Sequence, residues 1–146
     1  MEKIRFDSGI REFCINDGAV LRFNPADPNL YERFLEAADK IRVLEAEMVE
    51  QAKSIPRETA GEAVIRIMAE TDRKIKQELN AVFGHGNDFS VLLEGVNLLA
   101  VGRNGERVVT NLFAALQPIL EEGAQLCARE KTAQAVAKAR SRRAKQ

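Results

Sequence analysis

The stretch Asp27-Pro28-Asn29-Leu30-Tyr31-Glu32-Arg33-Phe34-Leu35-Glu36-Ala37-Ala38-Asp39-Lys40-Ile41-Arg42-Val43-Leu44-Glu45-Ala46-Glu47-Met48 decides how the rest of the chain is read. Leu30, Phe34, Ala37, Ile41, Leu44 and Met48 recur at alternating spacings of four and three. That is the a/d pattern of a helical seam, held for nearly three heptads. Glu32, Arg33, Glu36, Asp39, Lys40, Arg42, Glu45 and Glu47 fill the positions between and form a solvated face. Asp27 is a good N-cap, and Pro28 suits the first turn because its φ is already helical. Ser54-Ile55-Pro56 stops the run, which predicts a helix over 28–54.

Downstream, Val64, Met68, Thr71, Ile75, Leu79 and Val82 repeat the same spacing and predict a second helix over 57–83. At 1.5 Å per residue each helix is about 40 Å long. Equal length, matched stripes and a short proline break imply an antiparallel helical hairpin. Its seams are expected to bury each other first. Gly84-His85-Gly86-Asn87 then reads as a turn, with Gly84 as a left-handed C-cap. Asp88 is placed to cap a short helix, Phe89–Glu94, broken at Gly95. The apolar run Val96–Val101 is too short to assign, since helix and buried strand both fit. Val109, Leu112, Phe113, Leu116, Ile119, Leu120, Leu126 and Cys127 mark a last helix within 88–128, where Pro118 is expected to kink the axis.

Upstream of the hairpin, residues 3–24 alternate with a period of two. Ile4 and Phe6, Phe13 and Ile15, and Leu21 and Phe23 form the apolar set. Asp7-Ser8-Gly9 and Asn16-Asp17-Gly18 supply breaks, and Asp-Gly is a favoured hairpin turn. The expectation is a small antiparallel β-meander. The fold class is therefore α+β: an N-terminal meander, a long antiparallel helical hairpin and a C-terminal helix. Residues 1–128 are expected to form one domain, and 129–146 a basic tail that can be helical.

Charge gives that division its contrast. The chain of 146 residues has 22 basic and 22 acidic side chains. Seven of the bases (Arg129, Lys131, Lys138, Arg140, Arg142, Arg143 and Lys145) lie in the tail beside one acid, Glu130. The tail carries +6 and the body −6. Such a tail could neutralise nucleic-acid phosphates. With few aromatics for base stacking, the favoured expectation is that the tail solubilises a fraying C-terminus or contacts an acidic protein surface, including that of a second copy.

Little points to chemistry. Gly84-x-Gly86 and Gly102-x-x-Gly105 lack the form and the preceding strand of phosphate-binding loops. His85 stands alone, and Cys14 and Cys127 have no paired spacing, so reduced thiols are expected. The glutamates sit among lysines and arginines rather than converging from separate elements. No enzyme, cofactor or metal site is expected. No apolar stretch approaches the roughly 20 residues of a membrane span, and Met1–Asp7 has no signal-peptide core, so the expected address is cytoplasmic, without membrane contact.

Phe6-Asp7-Ser8-Gly9, the run from Ile15 through Asn24-Pro25-Ala26-Asp27-Pro28-Asn29, Val82-Phe83-Gly84, Gly95-Val96-Asn97-Leu98 and Asn111–Ile119 together resemble a tail-region protein family of phages and prophages of Gram-positive bacteria. The resemblance covers about residues 4–123 and leaves the basic tail outside. Members look similar in layout to tail assembly chaperones. The resemblance implies a chaperone or adaptor that binds the tape measure or tail tube protein in the bacterial host cytoplasm, as a homo-oligomer. With the two long seams occupied by each other, partner contact is expected at Val96, Leu98, Leu99, Val101, Phe113 and Leu116, with Arg140, Arg142, Arg143 and Lys145 as a basic contact. Alternatives are a structural tail or head-completion subunit, or a phage-encoded inhibitor or nucleic-acid-binding module working through the tail.

Overall fold

The computed structural model describes residues 1–84 and 86–144, apart from the side chains of 131–133 and 144. His85 and Lys145 lie outside the described residues. Chain order gives β1 (Arg11–Cys14), β2 (Val20–Phe23), α1 (Pro28–Lys53), α2 (Ala60–Phe83), α3 (Phe89–Leu92) and α4 (Val108–Ala144). The architecture is α+β, a small antiparallel sheet followed by a helical hairpin and a C-terminal helix.

The seams form as their spacing dictates. The Asp27 carboxylate accepts the Asn29 amide at 2.9 Å and starts α1. Leu30, Phe34, Ala37, Ile41 and Met48 are buried against α2, where Thr71, Ile75, Leu79 and Val82 are buried in turn. The Arg57–Thr59 segment is one turn of 3₁₀ helix leading into α2. The pairing is antiparallel. At one end the Arg33 guanidinium donates twice to the Val82 carbonyl, at 3.1 and 3.0 Å, and so caps the last turn of α2 with positive charge. Gly84 ends α2 at φ +86°, with its N–H on the Asn80 carbonyl.

The sheet is smaller than the alternation suggests. Arg11 to Cys14 pair with Phe23 to Val20, and the left-handed turn positions are Asn16 and Asp17 (φ +49° and +59°) rather than Asp17 and Gly18. Both residue types tolerate that region. The expected first hairpin is absent. Residues 1–8 form no strand, and Ile4 and Phe6 are 88% and 79% exposed. Asp7 does turn the chain by accepting the Gly9 N–H at 2.8 Å. Alternation alone made no strand there because these side chains have no second layer to cover them.

α4 closes the core by running antiparallel to α1. Arg107 just before it pairs with Glu45 at 2.8 Å, Phe113 meets Phe34 edge-on at 5.4 Å, and Gly123 lies against Pro25. Any methyl group at Gly123 would overlap the Pro25 carbonyl, so only glycine allows this approach. Pro118 does not interrupt the helix. It and Ala114, whose carbonyl loses its helical partner, both face solvent, so that carbonyl stays accessible to water. Past Gly123 the helix leaves the body, so the basic segment is helical through residue 144.

Candidate functional site

Two features of α2 decide what is left on the surface. Asp72 and Lys76 are buried and paired at 2.9 Å. Asp72 also accepts the Leu98 amide at 2.7 Å, and Lys76 also donates to the Val96 carbonyl at 2.9 Å. Asn97 donates to the Met68 carbonyl. A buried ion pair is tolerable only when its remaining valences are met, and here the backbone of 96–98 meets them. This contact draws the 96–101 run onto α2 as turns, neither the helix nor the strand allowed by its length. The carbonyls of Leu98 and Ala100 then accept the amides of Val109 and Val108, both at 2.8 Å, which satisfies the open start of α4.

The expected contact residues are consequently split. Leu98 and Leu99 are 0% and 1% exposed and belong to the core, so they offer no surface. Leu116 is buried, and Phe113 is half-buried on Phe34. Val96 and Val101 are exposed but lie at opposite ends of the loop. Arg140, Arg142 and Arg143 are exposed on the free part of α4. Six residues thus do not make one patch.

A different apolar surface exists on α4. Its inner row, Val109, Leu116, Leu120 and Gly123, is buried. Its outer row, Val108, Leu112, Ala115, Ile119 and Leu126, lines two grooves that meet at Phe13 and Ile119. The first, about 320 Å³, lies between α4 and the hairpin residues Phe13, Ile15 and Leu21. The second, about 340 Å³, continues past Pro25 to Leu126. From Val108 to Leu126 the row spans about 27 Å along the helix. The apolar sector of α4 is wider than the core can cover. Leu112 and Ile119 were visible in the sequence as members of one broad face, but nothing there separated the covered row from the open one.

A larger cleft of about 430 Å³ beside β2 contains Arg22, Asp27, Arg33 and Asn87. Its polar groups already have structural tasks. Arg33 caps α2, Asp27 caps α1, and the Asn87 amide bonds both to the N–H of Arg22 (3.0 Å) and to its carbonyl (2.7 Å). Among the described residues no group of three His, Cys, Asp or Glu side chains is arranged to hold a metal ion, and no helix is long and apolar enough to cross a membrane. Cys14 is exposed and Cys127 half-buried, both as free thiols. No family model matches the chain, and neither a curated protein nor a solved structure matches it.

Proposed function

We propose that the protein is a non-enzymatic tail-assembly chaperone or adaptor of a phage, working in the bacterial host cytoplasm by holding an amphipathic helix of the tape measure protein in the groove along α4. The outer row Val108–Leu112–Ala115–Ile119–Leu126, half-buried at Val108, Leu112 and Ile119 and exposed at Ala115 and Leu126, carries this reading. Its helical periodicity and length suit a partner helix of about five turns laid into an apolar groove. The phage setting rests on the resemblance of residues 4–123, which include the groove up to Ile119. A tape measure chain, being long and helical, supplies such segments; the tail tube protein is the second partner that the resemblance implies.

Co-expression with tagged tape measure protein and, separately, with tail tube protein tests the proposal. The wild-type chain is expected to co-purify with the tape measure protein, and Ala115→Glu or Leu126→Glu, at the exposed positions of the row, to abolish capture while the urea midpoint stays near wild type. Capture that survives both substitutions, or no capture of either tail protein, would sink it. Mass spectrometry of finished particles is expected to find none of the chain; its presence there makes the protein a structural component instead.

A further inference from the structure

The basic segment of α4 and the outer face of α1 carry matching rows. On α1, Glu32, Glu36, Asp39, Val43, Glu47 and Glu50 follow one another at helical spacing and all are exposed. They lie within about 80° of arc at 100° per residue. Asp39 and Glu50 have local partners, Arg42 at 3.2 Å and Lys53 at 3.4 Å. Glu32, Glu36 and Glu47 form no ion pair among the described residues. On α4, Arg129, Val136, Arg140 and Arg143 lie within about 60° of arc and are also exposed.

The registers correspond. Around Val43, acids stand four and seven residues away on both sides. Around Val136, arginines stand seven residues before it and four and seven after it. Setting valine on valine places every arginine of the row against a carboxylate, whichever way the helices run. Each valine is about half exposed, at 55% and 44%, and would be covered by the other. Neither row can use the other within one molecule. α4 is antiparallel to α1 and passes the start of α1 at Gly123, so its basic row lies about 9 to 30 Å beyond that point.

We propose that the basic segment of α4 docks on the acidic face of α1 in a second copy of this chain. Each copy offers one row of each kind, so association is reciprocal in a dimer or head-to-tail in a ring or fibre. The attraction is between exposed charges and is therefore salt-sensitive. This proposal is independent of the groove, which lies on another face of α4.

Sedimentation of the full chain at about 50 mM and about 500 mM salt tests it. Wild type is expected as a multiple of the monomer at low salt and as monomer at high salt. R129E/R140E/R143E and E36K/D39K/E47K/E50K are each expected to be monomeric at low salt, and an equal mixture of the two to associate again, because the charges are exchanged together. K138E/R142E, on the opposite side of α4, is expected to keep wild-type association. Far-UV circular dichroism verifies folding, and the glutamine series R129Q/R140Q/R143Q replaces the first variant if it loses helix. A wild type that is monomeric at low salt, association that survives either reversal, or a mixture that stays monomeric overturns the proposal. Assembly that requires added duplex DNA or RNA overturns it in favour of nucleic acid.

Discussion

α4 is one helix with two regimes. From Val108 to Gly123 it is held from outside: its first amides are satisfied by the Leu98 and Ala100 carbonyls, and Val109, Leu116 and Leu120 are buried. From residue 124 onward no described side chain is fully buried, and the same helix continues on alanine, lysine, arginine and glutamine. Those are strong helix formers, and the packed half supplies the costly nucleus, so propagation needs only propensity. Helix content and stability are separable here. The second half adds length and charge to the structure, and almost nothing to the core.

Substitutions can break this contrast in graded steps. The largest effect is expected at Asp72→Ala. It strands Lys76 in the interior, frees the Leu98 amide and loosens the loop that starts α4, at a cost of about 3–5 kcal/mol. A urea midpoint showing less than about 1 kcal/mol lost would mean that water takes over the carboxylate's role. Gly123→Ala is expected to cost about 1–3 kcal/mol, because the Pro25 carbonyl and the helix must separate. An unchanged midpoint would place the end of the packed half earlier than Gly123. Ala137→Pro is expected to remove far-UV helical signal from the last residues, yet move the urea midpoint by less than about 0.5 kcal/mol. A larger shift would show that the free half supports the body.

How much of this was legible in advance differs by element. The α1 and α2 stripes were readable because several turns of consistent spacing report one buried face. Residues 3–8 misled because alternation describes a strand's two faces and says nothing of whether a neighbouring layer exists. The Asp72–Lys76 pair was hidden by its own kind. On α2, Glu62–Arg66 and Glu70–Lys74 have the same opposite charges at the same spacing and are exposed, whereas only the pair flanking Ile75 is buried. Spacing cannot distinguish them; only the arrival of the 96–98 backbone does. Once that loop is fixed, Leu98 and Leu99 leave the candidate surface and the outer row of α4 takes their place.

The Asn87 side chain has a consequence for the sheet as a template. The N–H and carbonyl of Arg22 point away from β1, the direction in which a third strand would join. A single amide occupies both, while another of its bonds, to the Phe83 carbonyl at 3.1 Å, ties it to the end of α2. Side-chain atoms thus stand where a neighbouring backbone would pair, and they are anchored too firmly to be displaced at low cost. The hairpin can accept a further strand only along β1. Growth of this sheet by strand addition is polar, open on one side and plugged on the other.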